Sequence, residues 1–150
     1  MDFFLDENMA VVSLEPLRLI FRHQHTFENA GTLGLMGVDD IELYPEVRAA
    51  GIQAIISKDG RQLSNDVERR GLFDNRLTFI HLNMGKVGGA KGLALELAAL
   101  TAGLPYVVER WTPEPSAFRL RGLQNGFHER VSSHKDLWLP RWGSRPRPAP

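Results

Sequence analysis

The sequence predicts an α/β fold of three layers, α/β/α, built on a mainly parallel sheet. Three observations predict it. Strand-like and helix-like segments alternate five times over about 110 residues. Runs at 3–5, 52–57, 77–82 and 106–110 are nearly continuously apolar, as in strands covered on both faces. The segments between them carry helix caps, glycine stops and apolar residues at helical spacing.

In order, FFL (3–5) reads as a short strand. LEPLRLIFRH (14–23) sets Leu14, Leu17, Ile20 and Phe21 on one helical face, with Pro16 in the first turn, where its missing N–H is harmless. HTFE (25–28) reads as a second strand, and the glycines of AGTLGLMG (30–37) as a loop. DDIELYPEVRAAG predicts a helix capped by Asp39 or Asp40 and stopped at Gly51, with a break or late start at Pro45. IQAIIS (52–57) is a β-branched buried strand. RQLSNDVERRG reads as a short polar helix closed by Gly71, and LTFIHL (77–82) as a strand. NMGKVGGAKG (83–92) reads as a glycine-rich basic loop, LALELAALTAG (93–103) as a helix and YVVERW (106–111) as the last strand. FRLRGLQNGF is read as one more strand or a hairpin, and SRPRPAP at the end as disordered.

The 150 residues predict one domain over 1–111 with a basic C-terminal extension over 112–150. The absence of cysteine excludes disulfides and thiolate metal sites. No segment reads as a run of ~20 apolar residues, and no basic region precedes an apolar run at the N-terminus, so the expected location is the cytoplasm. Eighteen basic and eighteen acidic residues balance, but unevenly. From Thr112 onward Arg119, Arg121, Arg130, Lys135, Arg141, Arg145 and Arg147 face only Glu114, Glu129 and Asp136. Such asymmetry suits either an anionic partner or a solvated tail.

In open α/β sheets ligands gather at the carboxyl ends of the strands. Asp6, Glu7 and Asn8 follow the first strand. Lys58 and Asp59 follow IQAIIS, and Asp39 and Asp40 open a helix on the same side. Three acids brought together repel unless a cation neutralises them, and oxygen-only ligands suit Mg²⁺ or Mn²⁺. Phosphodiester hydrolysis is the reaction class this chemistry points to. Equally, acids at strand ends and helix caps occur in any fold.

FFLDEN, then DIELYPEVRAAG, then IQAIISKD resembles the PIN-like ribonuclease superfamily, nearest the compact group that includes VapC-type toxins. The motifs cover residues 3 to about 61, and the strand–helix order extends the resemblance to about 111. The resemblance implies that Asp6, Asp40 (with Asp39 as rival) and Asp59 are catalytic metal ligands for Mg²⁺ or Mn²⁺, with Ser57 in support. It implies a fourth acid that has no matching position here; Glu7, Glu42 and Glu46 are candidates, and Asn8 is a neutral substitute. The implied activity is cleavage of RNA, and the implied partner an antitoxin protein; a homo-oligomer is a further expectation.

Lys58, Lys86 and Lys91 are candidate phosphate contacts. The glycine-rich loop lacks the order of a nucleotide P-loop and serves equally as a flexible connection. His23 and His25 lack a third ligand, and His81 reads as a core or rim histidine. Trp111, Trp138 and Trp142 lie among arginines, where they stack on bases or dock the tail. Two rivals accompany the ribonuclease reading. One is a protein-interaction module that keeps the fold without the full acid set. The other is a receiver-like phosphoacceptor domain.

Overall fold

The computed structural model of the protein describes residues 1–123. Five strands, β1 (Asp2–Leu5), β2 (Thr26–Asn29), β3 (Ala54–Ser57), β4 (Thr78–Asn83) and β5 (Ala117–Arg121), form one sheet in the order β2-β1-β3-β4-β5. Every neighbouring pair is parallel. The helices are α1 (Leu14–Ile20), α2 (Ala30–Leu33), α3 (Asp40–Ala49), α4 (Asp66–Asp74) and α5 (Gly89–Arg110), with 3₁₀ turns at Val11–Ser13 and Gly60–Leu63.

The two-residue period of the strands divides the core. Phe3, Leu5, Ala54, Ile56, Ile80 and Leu82 pack with α1 and α5 on one face. Phe4, Ile55 and Phe79 pack with α2, α3 and α4 on the other. Phe3, Phe4, Phe27 and Phe79 are almost wholly buried. Each stabilises the fold by about 2–3 kcal/mol relative to exposure.

Several elements differ from the sequence reading. Residues 106–111 are not a strand: α5 continues to Arg110. Leu100, Leu104 and Val107 are buried at helical spacing, and this packing outweighs the β-branched pair. Pro105 sits within α5 and Pro45 within α3, both on exposed positions, where water can meet the carbonyl that each proline leaves without a donor. Residues 30–33 are a helical turn rather than loop, closed by a capping box between Asn29 and Thr32 and ended by Gly34 at φ 70°. Gly71 does not stop α4, which runs on to Asp74. Its lack of a side chain lets the Tyr44 ring approach, since a Cβ there would lie 2.7 Å from the ring.

The sheet extends ten residues past the expected boundary at 111, because β5 pairs with β4 over Phe79–Asn83. The strand expected in FRLRGLQNGF is thus partly observed. Residues 124–127 of that segment, the proposed disordered end and Trp138 and Trp142 lie outside the described residues.

The steps β3 to β4 and β4 to β5 cross the sheet in the same direction, yet α4 and α5 lie on opposite faces. The two crossovers therefore have opposite hands, and one is left-handed against the usual rule. The arrangement has a packing benefit: α5 covers Ile80 and Leu82 on a face that otherwise has only α1. By length and composition α5 would also pass for a membrane-crossing helix, in contrast to the sequence expectation. Its buried stripe, which includes Glu96, packs on the sheet instead.

Candidate active site

The strand order reverses between β1 and β3. The chain leaves β1 for α1 on one face and β3 for α4 on the other, opening a crevice at the carboxyl ends of these central strands. The Asp6 amide extends the ladder by donating to the Ile56 carbonyl at 3.0 Å. Asp6 is 7% exposed.

A hydrogen-bond network joins the two strand ends. Asn8 Nδ2 donates to Asp6 Oδ2 at 2.6 Å and to Ser57 Oγ at 2.9 Å. Asn8 Oδ1 accepts from the Lys58 amide at 2.7 Å. Fully buried Ser57 also accepts from the Asp59 amide at 2.9 Å. Asp6 Oδ1 accepts from the Glu7 amide at 2.8 Å, and Gln62 Nε2 donates to Asp6 Oδ2 at 3.3 Å. Asn8 and Ser57, singled out from sequence as supporting residues, thus connect the two acids.

Asp59 is held by its neighbour. Arg61 donates from its amide and Nε to Oδ1 at 2.9 Å, and from its terminal nitrogen to Oδ2 at 2.6 Å. These bonds hold the Asp59 carboxyl down at about 2. His81, opposite Ser57 in the sheet, adds a smaller lowering, and its ring packs on Gly60, where a Cβ would come within 2.6 Å. His81 is a half-buried rim residue.

Asp40 is the third acid on this rim. Its carboxyl is raised from the ordinary value, first by burial and then by the charges of Asp6, Glu68, Asp59 and Glu7. Its rival Asp39 is exposed and makes no side-chain cap bond. Tyr44, one turn along α3, is buried, and its hydroxyl is pushed up by burial, then by Asp40, Glu68 and Asp6.

Lys58, expected at a phosphate, instead donates from Nζ to Glu96 Oε2 at 2.8 Å. Glu96 is 2% exposed, and its Oε1 accepts from the Ala10 amide at 3.1 Å and from Ser13 Oγ at 2.5 Å. Beside this pair a groove of about 800 Å³ is lined by Asn8, Lys58, Asp59, Arg61, Lys86 and Glu96 among others. Lys86 lies on its rim in the loop before α5, and Lys91 is an exposed residue of the first turn of α5. That loop folds tightly over the helix start, since a Cβ on Gly92 would lie 1.9 Å from the Val87 carbonyl.

The sequence reading missed Arg61, Gln62, Glu68 and Glu96. Arg61, two residues past Asp59, had a local signal. Gln62, Glu68 and Glu96 become site residues only through packing.

Among the described residues no three His, Asp or Glu side chains close on one point. Asp59 is instead held by Arg61, whose side chain is 90% exposed. The donor chemistry nonetheless fits Mg²⁺ or Mn²⁺. It is all oxygen, the local charge is negative, and Tyr44 Oη and Gln62 Oε1 are buried there without a partner. Each such unmet atom costs about 1–3 kcal/mol. Set against family models, curated proteins and solved structures, the chain matches none of them.

Proposed function

We propose that the chain is a PIN-like, Mg²⁺- or Mn²⁺-dependent endoribonuclease acting in the cytoplasm, the toxin of a pair neutralised by an antitoxin protein. One observation carries the reading. Asp6 and Asp59, from adjacent central strands, meet at the switch point through Asn8 and Ser57, with Asp40 coupled to both. When bound, a divalent cation there supplies positive charge to a phosphoryl oxygen and acidifies water. Asp6, Asp40 and Asp59 would hold it. Asn8 orients Asp6, and Ser57 fixes the backbone at Asp59. Arg61 and Lys86 on the groove offer positive charge to the RNA backbone, with Lys58 available on release from Glu96.

The test is cleavage of RNA with Mg²⁺ or Mn²⁺, with EDTA, and by Asp6→Asn and Asp59→Asn. Loss in all three arms is expected; undiminished cleavage in the variants overturns the mechanism. A second reading has the strand order in its favour, since 2-1-3-4-5 is also the order of receiver domains. On that reading Asp59 is a phosphoacceptor, and a small phosphodonor would leave an acid-labile acyl phosphate on it.

A further inference from the structure

Among the described residues only two buried side-chain atoms lack a hydrogen-bond partner, Tyr44 Oη and Gln62 Oε1. They come from different elements, α3 and the turn after β3. Gln62, 6% exposed, donates to Asp6 through Nε2. The Tyr44 hydroxyl is within electrostatic range of Asp40, Glu68 and Asp6. Turning the Gln62 amide cannot relieve the unmet oxygen. It would set Oε1 against Oδ2 of Asp6 and replace a hydrogen bond with a contact between two acceptors. The donor edge is therefore fixed on Asp6, and an acceptor oxygen stays bare one amide-width away. Asp6 in turn lies within electrostatic range of Asp40, as do Glu68, Asp59 and Glu7. Carboxylate and amide oxygens together are a ligand set for a hard divalent cation.

We propose that Gln62 Oε1 is a neutral ligand of the divalent cation that Asp6 holds. This rests on the metal-dependent reading above and adds a ligand that reading does not use.

The experiment is calorimetric titration of the full chain with MnCl₂ at neutral pH, alongside Asp6→Asn, Gln62→Leu and Gln62→Glu, each checked for folding by circular dichroism. The native chain is expected to bind Mn²⁺ and Asp6→Asn to lose it. Gln62→Leu is expected to weaken binding about tenfold and Gln62→Glu to strengthen it about tenfold. The glutamate variant separates ligand from support. If Gln62 acted only through its N–H, a carboxylate there would lose the donor that orients Asp6 Oδ2, and binding would weaken. Weaker or unchanged binding in Gln62→Glu, with native binding intact, overturns the proposal and leaves the metal-dependent reading standing. No Mn²⁺ binding by the native chain overturns both. Where Gln62→Leu does not fold, Gln62→Glu decides alone.

Discussion

Asn8→Asp tests the network that joins the strand ends with almost no change in volume. Asn8 Nδ2 now donates to Asp6 Oδ2 and Ser57 Oγ. With a carboxylate at position 8, the contact to Asp6 becomes oxygen against oxygen, while the Ser57 hydroxyl can turn and donate. Two unit charges ~4 Å apart repel by about 4 kcal/mol at an effective dielectric of ~20. Asn8 is exposed, so solvent screening reduces this to about 2 kcal/mol. The lost bond to Asp6 adds about 1 kcal/mol. The sum, about 3 kcal/mol, lowers the Tm of a chain this size by roughly 6–12 °C. The introduced carboxylate has a folded pKa above its unfolded value of about 3.9. Its penalty is therefore full at neutral pH, fades as pH falls through the raised value and vanishes below about 3.9. Asp59, held at about 2, stays ionised at about pH 3, so its contact with Arg61 persists there. Differential scanning calorimetry at pH 7 and about pH 3 reads both effects. A Tm loss below about 2 °C at pH 7, or an equal loss at both pH values, would refute the reasoning.

Glu96→Ala removes the acceptor of the Ala10 amide, buried Ser13 and Lys58. Breaking a buried ion pair costs 3–5 kcal/mol, but Lys58 is 32% exposed and rehydrates, so the expected loss is about 2–4 kcal/mol. At a slope of about 2 kcal/mol per molar, the urea midpoint falls by about 1–2 M, and a shift under about 0.5 M would contradict this. Asp40→Asn should stabilise the protein at neutral pH. The Asp40 carboxyl is raised on folding, so charging it disfavours the folded state above its ordinary value of 3.8, and the gain disappears below that value. An unchanged or lower Tm at pH 7 would show that Asp40 does not carry the strain of the surrounding acids.

What the sequence revealed of the site follows the strands. Asp6, Ser57 and Asp59 were legible because an apolar run locates a strand, and a strand end in an open sheet locates a rim. Local patterns were weakest where tertiary packing decides. YVVERW has the composition of a strand, but Leu100, Leu104 and Val107 set a helical stripe across Pro105 that six residues alone do not display. β5 was ambiguous for the opposite reason: it is an edge strand with alternating exposure, so AFRLR never becomes an apolar run. With α5 running to Arg110 and β5 beyond it, the sheet continues past residue 111.

The same limit governs the chemistry. Lys58 looked like a free cation beside Asp59 because its partner, Glu96, lies thirty-eight residues away. Glu96 sits on a helix that folds back over the same sheet face as the Ala10–Ser13 segment. Gln62 looked like one more polar residue of a surface helix, yet burial turns its amide into an oriented group with one edge committed to Asp6 and the other unmet. The ends of β1 and β3 therefore place Asp6 and Asp59 on one rim, joined through Asn8 and Ser57, while residues off the strands hold them. Arg61 holds Asp59 ionised and occupied, Asn8 and Gln62 fix Asp6, and Glu96 keeps Lys58 away from Asp59. Arg61, whose side chain is 90% exposed, grips Asp59, and both line the groove beside Lys58 and Glu96.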